Sequence, residues 1–154
     1  HDIPLLLKGI MTADDAALAC ELGVDGIWVS NHGGRQLDQA QGSLAVLPEI
    51  VEAIDGRASV VIDGGFLRGT DIVKALALGA DLVALGRLTA IGLGAAGEEG
   101  LTRAIDLLAE EMHIAMGLMG KTRFSELSPD DLTEAPPGHP PDVLSAFPLM
   151  RREI

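Results

Sequence analysis

Residues 22–29, Leu22-Gly23-Val24-Asp25-Gly26-Ile27-Trp28-Val29, and residues 78–85, Leu78-Gly79-Ala80-Asp81-Leu82-Val83-Ala84-Leu85, are two copies of one pattern. A Leu-Gly pair closes a helical stretch, an Asp follows two residues after the glycine, and a short apolar run comes next. The glycine stands where a helix would close in a left-handed cap, and the run has the length of a strand. The offset, 79 − 23 = 56 residues, holds two units of about 28 residues each, the size of a strand-helix module.

Working outward, Pro4-Leu5-Leu6-Leu7 and Val60-Val61-Ile62 are further apolar runs, and helical patterns fill Ala13 to Leu22, Ser43 to Ile54, Thr70 to Leu78 and about Glu98 to Met116. Thr12 with Asp15 marks one helix start as a capping box, and Thr70-Asp71 marks another. Four β/α units result. Their runs are apolar throughout, as expected of parallel strands covered on both faces. Evenly repeated units favour a TIM (β/α)8 barrel over a doubly wound sheet, with this chain supplying four of the eight strands. Leu127 to Leu132 adds a turn. Residues 1–133 are expected to form the barrel portion and 134–154, with Pro136, Pro137, Pro140, Pro141 and Pro148, a Pro-rich tail.

The 154 residues carry 11 Lys+Arg against 23 Asp+Glu, a net charge of −12 that excludes nucleic acid as a plausible partner. With 47% hydrophobic and 22% charged residues the chain has the balance of a folded domain with a core. Cys20 is the one cysteine, so no internal disulfide forms, and a reducing cytoplasm is the expected location. No apolar run approaches the roughly 20 residues of a membrane span. The start at His1-Asp2-Ile3-Pro4 reads as a cut within a longer chain.

Barrel enzymes carry their chemistry just after the strands, and the last two strand loops commonly hold a phosphate. Here Lys8 closes the first run, Ser30-Asn31-His32-Gly33-Gly34-Arg35 follows the second, Asp63-Gly64-Gly65 the third and Gly86-Arg87 the fourth. Polar residues at buried strand ends are costly unless paired, so a His and an Arg three positions apart beside glycines suggest a base and an anion clamp. A hydrogen-bonded loop His and a surface Arg are the alternative. The glycines and Arg87 suit a phosphate, although turn chemistry uses the same residues. His113 and His139 lack a second ligand at metal-like spacing, Cys20 suits a core position, and no metal is expected.

Pro4-Leu5-Leu6-Leu7-Lys8-Gly9-Ile10, Val29-Ser30-Asn31-His32-Gly33-Gly34-Arg35-Gln36-Leu37-Asp38, Asp63-Gly64-Gly65, Lys74-Ala75-Leu76-Ala77-Leu78-Gly79-Ala80 and Gly86-Arg87 together resemble the FMN-dependent α-hydroxy-acid oxidases and dehydrogenases, a family that includes glycolate oxidase, lactate oxidase and mandelate dehydrogenase. The resemblance runs from about Ile3 to Leu132 and corresponds to the last four strands of the family's barrel. It implies FMN as cofactor and oxidation of an (S)-2-hydroxy acid to a 2-oxo acid. By position, His32 becomes the catalytic base and Arg35 binds the substrate carboxylate. Lys8 and Ser30 contact the flavin, Asp63 holds ribityl hydroxyls, and Gly64, Gly65, Gly86 and Arg87 surround the phosphate.

Two departures stand out. The family commonly has Asp-Gly-Gly-x-Arg-Arg-Gly, where this chain has Leu67 followed by Arg68, so either Arg68 swings in or Arg87 carries the phosphate charge alone. Leu88 stands where a proline is common. The first half of the family's barrel, which supplies the remaining flavin contacts and a carboxylate for the catalytic His, has no counterpart in this sequence. An N-terminal half-barrel on a separate chain, from a nicked precursor, is therefore the expected partner, in a homo-oligomer such as the tetramers common in the family. Other readings are a different FMN barrel, such as a type 2 isopentenyl-diphosphate isomerase, and a non-catalytic barrel fragment.

Overall fold

Every apolar run becomes a strand, and every helical pattern becomes a helix. The computed structural model describes residues 2–134, so the expected Pro-rich tail, apart from Glu134, and His139 lie outside the described residues. Strand β1 (Leu6–Ile10) leads to helix α1 (Ala13–Glu21), β2 (Gly26–Val29) to α2 (Ser43–Ile54), β3 (Ser59–Ile62) to α3 (Gly69–Ala77), and β4 (Leu82–Val83) to α4 (Arg87–Leu118). Single 3-10 turns form at His32–Gly34, Phe124–Glu126 and Pro129–Asp131.

The strands lie in the order β1-β2-β3-β4, all parallel. Consecutive parallel neighbours are the arrangement of a barrel wall, whereas a doubly wound sheet reverses its strand order part-way. The two Leu-Gly-x-Asp motifs now have a structural meaning. Asp25 Oδ2 accepts the Leu5 N–H at 2.7 Å, just ahead of β1, and Asp81 Oδ2 accepts the Val60 N–H of β3 at 2.7 Å. Each carboxylate satisfies the first amides of the neighbouring strand and pins its register, while Gly23 (φ 80°) and Gly79 (φ 98°) close the preceding helices in the left-handed region.

The core lies between the sheet and its helices. Ile27, Val29 and Ile62 are fully buried and meet Leu47, Ile50 and Ile54 of α2 and Ala16 of α1. Helix α1 packs on α2, and α3 packs on α4. Gly69 at the start of α3 lies so close to α4 that a side chain there would strike the backbone at Leu108 and Met112.

Four expectations change. Strand β1 begins later than Pro4 and runs through Lys8 to Ile10, because a bulge at Gly9 (φ 103°) extends the pairing with β2. Strand β4 keeps only Leu82–Val83. Helix α4 begins at Arg87, eleven residues before the expected Glu98, and is broken at Ala96 and Gly97. Its two segments meet at Gly92 and Gly100, whose backbones approach too closely for a side chain at Gly100; such glycine-rich packing has no apolar periodicity to reveal it. Finally, among the described residues one sheet face is covered by helices and the other is not. On the other, Leu6 is 43% and Leu82 61% exposed. No helix among the described residues is long and apolar enough to cross a membrane.

Candidate active site

Strand ends, loops and one bulge bring the predicted residues of the first three units to one rim of the sheet. Lys8 of β1, Ser30 after β2 and Asp63 after β3 form a closed triangle. Lys8 Nζ donates to Ser30 Oγ at 2.7 Å and to Asp63 Oδ2 at 2.8 Å, and Ser30 Oγ donates to Asp63 Oδ1 at 2.6 Å. Ser30 Oγ also accepts the His32 N–H at 3.2 Å. Ser30 is buried and its hydroxyl is fully used, so it serves as the rigid corner of the group. One of the three ammonium N–H donors of Lys8 has no acceptor among the described residues.

The 32–34 loop is built on Asn31. Its Oδ1 accepts the Gly33 and Gly34 amides at 3.1 and 3.2 Å, and its Nδ2 donates to the Gln41 carbonyl at 3.2 Å. With both amides held, His32 (φ 56°) and Gly33 (φ 71°) stay in the left-handed region, a strained setting for the imidazole-bearing residue. The His32 ring lies over the β1 bulge: Cε1 is 2.9 Å from the position a Cβ on Gly9 would take, so only glycine leaves room for the imidazole. His32 and Arg35 are exposed at the rim, and among the described residues neither side chain has an ion-pair or hydrogen-bond partner.

From the fourth unit, Gly86-Arg87 opens α4, and the Arg87 guanidinium reaches the second loop, with Nη2 3.2 Å from where a Cβ on Gly33 would sit. Arg87 likewise has no acidic partner among the described residues. Gly64 (φ 106°) and Gly65 (φ 85°) follow β3, and the space beside Gly65 is open. Arg68 is drawn to α4 instead: its Nε donates to Glu111 Oε1 at 2.8 Å, while Glu111 Oε2 accepts the Gly69 N–H at 2.7 Å. Leu67 is 55% exposed.

A chain of net charge −12 thus gathers Lys8, Arg35 and Arg87 at one rim, two of them without an acidic neighbour among the described residues. That pattern suits an anionic ligand.

The family model for FMN-dependent dehydrogenases matches residues 1–134. The chain belongs to this family. An L-lactate oxidase of Nostoc sp. is 52% identical over 125 residues, covering 81% of this chain and 34% of that protein. The 2-hydroxyacid oxidase 2 of Mus musculus is 48% identical over 128 residues, covering 83% of this chain and 36% of that protein. A mandelate oxidase crystal structure superposes with a TM-score of 0.80 at 46% identity, covering 82% of this chain and 39% of the other. The chain of this FMN-dependent dehydrogenase family member spans about a third of the length of these curated relatives, and its sheet is four consecutive strands of their barrel architecture.

Three residues that shape the rim were given no role from the sequence. Gly9 clears the space for His32, Asn31 organises its loop, and the buried Ser43 at the start of α2 donates through Oγ to the Asp63 carbonyl. Asn31 was legible as an Asx turn ahead of two glycines. Gly9 and Ser43 were not, because their partners lie 23 and 20 residues away.

Proposed function

We propose that this chain forms the substrate- and FMN-binding rim of an enzyme that oxidises an (S)-2-hydroxy acid to a 2-oxo acid. The observation that carries the reading is the convergence of His32, seated over Gly9, with the Lys8-Ser30-Asp63 triangle and the Arg87 guanidinium, which has no acidic partner among the described residues.

The rim fits FMN in its donor set. Among the described residues Lys8 has a donor to spare, Gly65 leaves its backbone accessible, and Arg87 supplies a guanidinium without an acidic partner beside a helix start. Lys8 and Ser30 would meet the ring system, Asp63 the ribityl hydroxyls, and Gly64, Gly65, Gly86 and Arg87 the phosphate. The commitment of Arg68 to Glu111 supports Arg87 as the principal cation there. When bound, FMN supplies the acceptor for the two electrons that leave the substrate.

The remaining chemistry belongs to the chain's own residues. The substrate loses two electrons and two protons, and His32 takes one of those protons at an imidazole nitrogen. Arg35, three residues on, holds the carboxylate through its forked donors and so orients the carbon that is oxidised. The edges of β1 and β4, unpaired among the described residues, and the exposed inner-face leucines support further strands completing the barrel; we assign these strands to a separate chain from a nicked precursor.

The test is an anaerobic absorbance scan of the assembled enzyme against a panel of 2-hydroxy acids. Bleaching of the flavin band is expected, and its absence with every member of the panel overturns the proposal. His32→Gln is expected to keep bound FMN and lose turnover; flavin reduction by substrate in that variant refutes the base assignment. Arg35→Lys, which keeps charge but loses the fork, should lower kcat/KM by about 10- to 100-fold.

A further inference from the structure

Trp28 is the one tryptophan of the chain, in a sequence with only 3% aromatic residues. It lies in β2 directly opposite Lys8 of β1 and beside Val61 of β3, so all three occupy one layer on the inner face of the sheet. The Lys8 ammonium sits over the indole, with Nζ 4.9 Å from the ring centroid, inside the range at which a cation is held by an aromatic face. The indole Nε1–H is buried and has no acceptor among the described residues. A buried tryptophan ordinarily uses its N–H as well as its bulk; here the ring face makes the charged contact and the polar end makes none among the described residues.

Lysine is a poor choice for precise placement, because four rotatable bonds leave its ammonium free to wander. Three features remove that freedom: the hydroxyl of Ser30, the carboxylate of Asp63 and the indole face. The first two occupy two N–H donors. The ring fixes the cation from a further side, and the last donor keeps one direction.

We propose that Trp28 is a positioning residue for Lys8, its indole face holding the ammonium so that the remaining N–H is presented in a fixed direction to the ligand of the rim. The ligand part of this inference rests on the FMN reading above; the contact between Trp28 and Lys8 does not.

The experiment has two arms. In the unliganded chain, NMR of the Lys8 ε-methylene protons should show them shifted upfield by the indole ring current. Trp28→Phe should keep part of that shift and Trp28→Leu should abolish it. In the assembled barrel, FMN titration should give roughly two- to twentyfold weaker binding for Trp28→Leu, the range expected for loss of a cation held on a ring, with Trp28→Phe closer to the parent. In a Lys8→Met background the Trp28→Leu penalty should vanish. Unshifted Lys8 resonances in the parent chain overturn the proposal without any variant having to fold, and so does a Trp28→Leu penalty that persists without Lys8. If the assembled parent barrel fails to bind FMN, the flavin reading falls, and the resonance arm alone decides the Trp28–Lys8 contact.

Discussion

The two faces of one four-stranded sheet differ in how they are covered. On the outer face, Ile27, Val29 and Ile62 are fully buried under α1 and α2, and Leu47, Ile50 and Ile54 close over them. On the inner face, Leu6 and Leu82 are open, and the buried N–H of Trp28 lacks a partner among the described residues. The outer face is a finished core, while the inner one presents apolar surface and an unused donor. The same strands feed both faces, because successive side chains point in opposite directions. The difference therefore measures how much of this architecture the 2–134 segment stabilises by itself.

The largest expected effect lies on the finished face. Leu47→Ala should cost about 2–5 kcal/mol in urea unfolding, because its cavity opens in fully packed surroundings. Leu82→Ala should change the stability of the unassembled chain by less than about 0.5 kcal/mol. If both substitutions cost the same, the contrast between the faces is wrong. A cost for Leu82→Ala that appears only in the assembled barrel would sharpen the contrast and identify the inner face as an interface.

A smaller effect is expected at the end of the sheet opposite the candidate site. Asp81→Ala removes the carboxylate that accepts the Val60 amide and should cost about 1–3 kcal/mol. Asp25→Ala, which frees the exposed Leu5 amide at the sheet edge, should cost less. The two variants compare a clamp between interior strands with one at an open edge, and thermal unfolding ranks them.

The smallest effect is electrostatic and lies beyond the sheet, in the turns after α4. Hydrogen bonds from Thr122 hold the Glu126 carboxyl below its ordinary value, and the hydrogen bond with Lys121 does the same for Asp131. A carboxyl depressed in the folded state favours folding at neutral pH, and that contribution is lost as pH falls below the ordinary carboxylate range through the depressed values. Glu126 is exposed and Asp131, paired with Lys121, is half-buried in a surface turn, so a Glu126→Gln, Asp131→Asn double variant should show only a slightly flatter fall of Tm with acid than the parent.

Much of this organisation was legible in the residues. The bounds of α2 fall where the apolar periodicity begins and ends, and the Thr12 hydroxyl accepts the Asp15 amide at 3.2 Å as its spacing suggests. Lys8, Ser30 and Asp63 could be placed at neighbouring strand ends because each directly terminates or follows an apolar run. Their closure into a triangle could not be read, since it depends on the β1 bulge and on the register between strands. The early start of α4 escaped because a Gly- and Ala-rich segment has no hydrophobic stripe, and the engagement of Arg68 by Glu111 joins positions 43 residues apart.

Local chemistry in the sequence determined the strand-helix alternation, the caps, the acidic surface and the set of side chains delivered to one rim, because each depends on residues within a turn or a run of one another. Tertiary structure alone decided which side chains touch: His32 over Gly9, Arg87 against Gly33, Lys8 between Asp63 and Trp28. Those contacts are set by strand register and backbone approach to within a few tenths of an ångström, and no spacing along the chain encodes distances across it.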